Sequence, residues 1–177
     1  MLFVFPVICF SQSKYYTREG HIHFKSEAKL EIIEANNYKV NSVLDLGTGN
    51  IEFAVLIKAF EFKKALMEEH FNENYLESKD YPKSIFKGKL IGTDSIIDKK
   101  DGVYQVQVEG ELTLHGVTKE LKVPANLTVD NGIVKAESSF TLRVEDFDIK
   151  IPAVVTDNIA REISVNVTIN YKLLEHP

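Results

Sequence analysis

The sequence predicts an all-β domain built from long antiparallel strands. Three observations carry this. Apolar and polar residues alternate with a period of two over most of the second half, turn signals rich in Gly, Asn and Asp separate the alternating runs, and only one stretch has helical spacing. Tyr104, Val106, Val108, Leu112 and Leu114 fall on one face of a strand, with Gln105, Gln107, Glu109, Glu111 and Thr113 on the other. Leu121, Val123, Ala125, Leu127 and Val129 repeat the pattern. So do Val134, Ala136, Ser138, Phe140, Leu142 and Val144, and again Ile163, Val165, Val167, Ile169, Tyr171 and Leu173. A slip of one residue would turn each apolar face to water, so the pattern specifies pairing. Turns are predicted from His115 to Lys119, at Asp130-Asn131-Gly132 and from Asp146 to Asp157. Long strands with short connections form a meander. A wide sheet with one apolar face then closes into a barrel, which abolishes exposed edges, or packs on a second sheet.

The first half reads less regularly. Gln12 to Gly20 is a polar lead-in, and His21 to Ser26 alternates as a strand with Ile22 and Phe24 on its apolar side. Lys29 to Glu34 fits either a short strand or a helical turn, and Ala35-Asn36-Asn37 reads as a turn. Val40 to Leu46 is a strand, Asp45 to Asn50 a tight hairpin connection, and Ile51 to Ile57 a second strand. Phe62, Leu66 and Glu69, with Met67 and His70, recur at three-to-four spacing without Gly or Pro. This predicts a short helix over residues 64–71. A loop from Asn72 to Pro82 leads into a strand from Ser84 to Ile91.

A length of 177 residues suits one domain, with 44% hydrophobic residues for a core and 27% charged for a solvated surface. The formal net charge is −5. An acidic chain without a basic tract is a poor partner for nucleic acid, whose phosphates need clustered Lys and Arg. The first eleven residues carry no charge and fall short of the roughly 20 apolar residues of a membrane span. They resemble the end of a secretory signal peptide cut between Ser11 and Gln12, which implies a periplasmic or secreted protein whose single domain covers residues 12–177. Cys9 is the only cysteine, so the mature chain would have no disulfide, thiol nucleophile or cysteine-bound metal.

Candidate chemistry is sparse. His21 and His23 share one face of a strand, a spacing that suits a metal with Glu19 or Glu27 beside it; two solvent-facing histidines explain it as well. His70 near Glu68, Glu69 and Glu73 suggests a general base, or simply a histidine on the last carbonyls of a helix. No serine has the glycine framing of a nucleophile elbow. Gly47-Thr48-Gly49 is too short for a phosphate loop, and Asp146-Phe147-Asp148 lacks the oxygen density of a calcium loop. No metal or cofactor is expected. Tyr75 and Tyr81 suit either the mouth of a tunnel or a loop pinned to the sheet. Ala125, Ala136 and Ser138 interrupt bulky faces with small side chains, which favours a cavity over a filled interior.

Gly110-Glu-Leu-Thr-Leu-His-Gly-Val-Thr-Lys119 resembles the long hairpin of the YceI-like family. The segment His70 to Pro82 with Phe86, and Phe140 to Ile149 with its Asp146-Phe147-Asp148-Ile149, are similar to two further family segments; Met67 and Glu68 replace the Arg-Asp pair usual before the histidine. The resemblance implies a lipocalin-like antiparallel barrel of about eight strands with a helix near one end. It implies non-catalytic binding of an isoprenoid or other amphiphilic lipid, with transport or storage as the role, and it admits a homodimer because the family includes dimers. Strand phase then nominates Phe53, Val55, Phe86, Val106, Val108, Leu112, Leu127, Ala136, Phe140 and Val167 as lining residues. A solid barrel acting as a stress-response or interaction module is the alternative, and a hydrolase using His70 a third reading.

Overall fold

The computed structural model describes residues 14–92 and 101–174. The proposed leader and Cys9 lie outside these. Nine strands form: β1 (Lys14–Glu27), β2 (Ile32–Asp45), β3 (Asn50–Leu56), β4 (Glu61–Phe62), β5 (Lys83–Ile91), β6 (Gly102–Leu114), β7 (Val117–Asp130), β8 (Ile133–Arg143) and β9 (Glu162–Leu173). Eight of them run around a closed antiparallel barrel in the order β1-β9-β8-β7-β6-β5-β3-β2, and β2 returns to β1. The two-residue β4 pairs with Ala35 and Asn36 of β2, beyond the stretch of β2 that pairs with β3. First strand on last strand is what closes the meander into a barrel.

Connections follow from local chemistry. Asp45 Oδ1 accepts the Gly47 and Thr48 amides at 2.9 and 3.2 Å, closing the β2–β3 hairpin. Asn131 and Gly132 have φ of 48° and 80°, the mirror-image turn whose twist matches paired strands. His115 and Gly116, at 49° and 75°, form the same turn between β6 and β7. That connection is shorter than the predicted His115-to-Lys119 turn: Val117, Thr118 and Lys119 already pair with Leu114, Thr113 and Leu112. The Gly110 of the hairpin motif lies directly opposite Gly88 of β5. A Cβ on either would strike backbone of the other strand, and Gly88 also leaves room for the Phe86 ring.

Two further predictions are corrected. Ala35-Asn36-Asn37 is not a turn; β2 passes straight through it. Asn37 is fully buried where β2 carries one more residue than β1, between the pairs Ile22–Asn37 and Gly20–Val40. Its amide donates to the Leu56 carbonyl at 2.9 Å and its Oδ1 accepts the Lys39 amide at 2.9 Å. The asparagine thus satisfies a β-bulge rather than ending a strand. The predicted helix exists as α1 (Ala65–His70), but helical structure continues through a wider turn at Phe71–Tyr75 instead of giving way to loop. There the Leu76 amide reaches the Phe71 carbonyl at 2.9 Å, and Asn72 Nδ2 donates to the Glu68 carbonyl at 2.9 Å. The widened turn seats Phe71 against Phe24, Phe60 and Phe62, with ring centroids 5.0–5.6 Å away.

Candidate functional site: an apolar cavity in one half of the barrel

The barrel has two ends of different character. One end holds the β2–β3 and β7–β8 turns. Here Tyr15, Val40, Leu44, Leu127, Val129, Val134, Ile169 and Tyr171 are all essentially inaccessible to solvent. The Tyr171 hydroxyl donates to Ser42 Oγ at 2.7 Å, because the Ser42 hydroxyl is already donated to the Glu52 carbonyl at 2.9 Å. Burial pushes the Tyr171 phenol far above its ordinary pKa, and that of Tyr15 upward as well.

The other end, toward α1, is hollow. A cavity of about 510 Å³ starts above Leu127 and Ile169 and extends to α1 and the segment between β8 and β9. That size falls within the roughly 300–1,000 Å³ of small-ligand pockets. Of the residues nominated by phase, Phe53, Val55, Phe86, Val108, Leu112, Leu127, Ala136, Phe140 and Val167 line it. Val106 does not; it is buried in the packed core, facing Ala125 across the β6–β7 ladder. Ala125, Ala136 and Ser138, the small residues on bulky faces, all border the space.

Strand phase does not reach the roof. Phe60, Phe62, Met67, His70, Phe71, Tyr75 and Leu76 come from the segment around α1, and Ile151, Val155 and Ile159 from the β8–β9 connection. The available signal was the density of phenylalanine in residues 60–71, which the helical spacing alone did not explain. At the rim the Lys64 ammonium lies 2.9 Å from Glu31. This contact, aided by Asn158, holds the Glu31 carboxyl below the usual carboxylate range. The Leu30 amide donates to the Asp157 carbonyl at 2.8 Å. The β1–β2 turn, the start of α1 and the β8–β9 connection are thereby laced together.

The histidines acquire ordinary partners. His21 stacks on Tyr38 at 4.5 Å and meets Asn36 Oδ1 at 2.8 Å, while His23 lies 3.8 Å from Glu34. No cluster of three metal-ligating side chains occurs among the described residues. His70 borders the cavity, yet its three acidic neighbours are not bonded to it: Glu68 takes the Phe62 amide and Glu73 pairs with Lys79. His115 does more than occupy its turn. Its Nδ1 donates to the Phe147 carbonyl at 3.0 Å, its Nε2 lies 2.8 Å from Glu77, and Tyr81 packs edge-on at 4.6 Å. Tyr81 therefore pins its loop to the hairpin, whereas Tyr75 faces the cavity. Phe147 of the acidic Asp146-Phe147-Asp148 run is buried, which makes that run a packing element.

An eight-stranded antiparallel barrel, packed at one end and apolar and hollow at the other, is a lipocalin-like container. The model of the YceI-like domain matches residues 10–171, and the chain belongs to this family. Solved structures share the fold. A polyisoprenoid-binding domain from Saccharophagus degradans, implicated in plant cell wall breakdown, superposes with a TM-score of 0.78 at 11% identity, over 92% of this chain and 99% of that one. BcnA of Burkholderia cenocepacia gives 0.72 at 13% identity, over 86% and 96%. The YceI protein of Campylobacter jejuni gives 0.58 at 14%, over 80% and 85%. No curated protein matches the chain.

Proposed function

We propose that this protein is a non-catalytic carrier or store for a hydrophobic or amphiphilic lipid with an isoprenoid-like chain, held in the barrel interior. The observation that carries the reading is the cavity itself, lined mainly by aliphatic and phenyl side chains. An apolar chain in water is disfavoured by about 25 cal/mol per Å² of its surface, and transfer into such a lining recovers much of this without any ionic or catalytic group. The polyisoprenoid-binding description of the Saccharophagus degradans domain supports the same ligand class. The uncharged first eleven residues support a periplasmic or secreted location.

Native mass spectrometry of gently purified protein, followed by titration with isoprenols, tests the reading. A lipid mass on the purified protein, or saturable isoprenol binding, is expected. Ala136→Phe, which projects a phenyl ring into the cavity floor, should weaken binding by about tenfold or more while the barrel still folds. A barrel that is always empty and refuses isoprenols would favour the interaction-module alternative.

A further inference from the structure

The seam between β7 and β8 is zipped over only part of its length. β7 and β8 pair only from Asp130–Ile133 to Asn126–Glu137. Beyond that point β7 stays paired with β6 as far as Val117–Leu114, and β8 with β9 as far as Arg143–Glu162. Residues 117–125 and 138–143 therefore border each other without a ladder. Pro124 explains where pairing stops. Its carbonyl accepts the Ser138 hydroxyl at 2.7 Å, so it points toward β8. In a strand the N–H and C=O of one residue point to the same side, so the donor that proline lacks is one that β8 would have needed.

The cavity reaches this seam from both banks. Leu121 and Val123 face it from β7, Phe140 and Leu142 from β8. Glu137, in the outward phase of β8, borders it too, which brings the space to the outer surface. Side chains rather than backbone fill the gap. The chain leaves β8 through a 3₁₀ turn (Val144–Phe147), and Phe147 and Ile149 are buried in one cluster with Ile57 and Leu76, against which Leu114, Val117 and Leu142 pack. Between them Asp148 has φ of 54°, a conformation L residues seldom adopt. The single polar tie from this wedge to the hairpin is the His115–Phe147 bond among the hydrogen bonds described.

We propose that the seam between β7 and β8 is the door through which the lipid chain passes sideways, with Phe147 and Ile149 as its movable leaf. The inference rests on the lipid-carrier reading. Opening the unpaired part of this seam breaks no strand ladder; the other seam with an unpaired stretch, β2 beyond Asn41 against β3, is bridged by β4 on Ala35 and Asn36 and by the Asn37 amide on the Leu56 carbonyl. Entry at the α1 end meets the phenyl cluster of Phe24, Phe60, Phe62 and Phe71. Sideways entry also defines the ligand: a single long flexible chain whose polar head stays in water beside the Lys135–Glu137 pair and never crosses the apolar interior.

The test staples the seam. Lys122 and Thr141 are exposed, one on each bank, and would be partners if the β7–β8 register continued. Lys122→Cys with Thr141→Cys, in a Cys9→Ser background, is loaded with nitrobenzoxadiazole-labelled geranylgeraniol, and its transfer to phosphatidylcholine vesicles is followed before and after oxidation. Oxidation should slow transfer by about tenfold or more, and dithiothreitol should restore it. In the same assay Phe147→Leu, which thins the leaf, should speed transfer. Binding with unchanged transfer in the fully cross-linked protein overturns the door alone. Should the disulfide not form, unchanged transfer by Phe147→Leu overturns it. Absence of probe binding to the unmodified protein overturns the carrier reading, and the door with it.

Discussion

Leu121 and Leu127 lie on the same strand, β7, and point to the same side, yet they live in different environments. Leu127, at the cavity floor, is completely buried among Val134, Ile169 and their neighbours, while Leu121, farther along the wall, is only partly buried with its inner face along the open cavity. The same contrast separates the two ends of the barrel. Near the β2–β3 and β7–β8 turns the inward residues meet across the axis and fill it. Toward α1 the inward residues mix the bulky Phe53, Phe86 and Phe140 with the small Ala125, Ala136 and Ser138. At the α1 end small side chains leave room in the wall, and the roof is supplied by a separate segment rather than by opposing strands. Alternation thus decides which way a side chain points, and the distance to what it faces decides whether it is packing or lining.

This contrast makes its largest prediction at the two leucines themselves. Leu127→Ala removes a fully buried side chain at the boundary between packed core and cavity floor and should destabilise the fold by about 2–5 kcal/mol in urea unfolding. Leu121→Ala enlarges a space that already exists, so little packing is lost, and it should cost under about 1 kcal/mol while weakening isoprenol binding. Equal losses of stability would mean that the α1 half is as solid as the other, and the division would fail.

The division also marks what could be read from the sequence. Period-two alternation located the second-half strands, and the Asn131-Gly132 pair located their turn, because both signals act over a few residues. Nine of the ten lining candidates border the cavity for the same reason: they share the inward phase. Val106 shares that phase with Val108 and is nonetheless core, since phase carries no information about height along the barrel axis. The roof residues Phe60, Phe71 and Ile159 lie outside any long alternating run, so no period announces them. Asn37 misled for a local reason. Its side chain bonds to backbone as it would in a turn, but it does so inside a continuous strand, at a bulge set by pairing with residues far away in the chain.

The next effect belongs to the packed end. Tyr171 is buried there with its phenol kept protonated, so its folded-state pKa lies well above the unfolded value near 10. Below pH 10 both states hold the proton and the stability of this end is fully present. Above pH 10 the unfolded chain releases the proton and the folded chain does not, so stability falls by about 1.4 kcal/mol per pH unit from this residue. Tyr171→Phe should cost about 1 kcal/mol at pH 7, through loss of the bond to Ser42. Unfolding curves collected from pH 7 to 11 should show the variant declining less steeply than the parent. Parallel declines would show that this phenol titrates freely, and the packed end would then be more open than its burial indicates.

The smallest effect lies at the rim of the hollow end, where Glu31 is bonded to Lys64 and Asn158. A carboxyl whose folded pKa is lowered stabilises the fold above its unfolded value and loses that contribution as pH falls through the folded value. The pair is solvent-exposed, so water and salt screen it and its effect on global stability is slight. Its local effect is larger in consequence, because it ties the start of α1 to the β1–β2 turn over the cavity. Lys64→Met should raise amide exchange in residues 28–31 and 64–70 at pH 7, and leave exchange at the packed end unchanged. Once the intrinsic pH dependence of exchange is removed, the difference from the parent should vanish on acidification through the Glu31 titration. A difference that persists at low pH would assign the effect to the lost lysine stem rather than to its charge, and the rim would then be held by packing, as the opposite end of the barrel is.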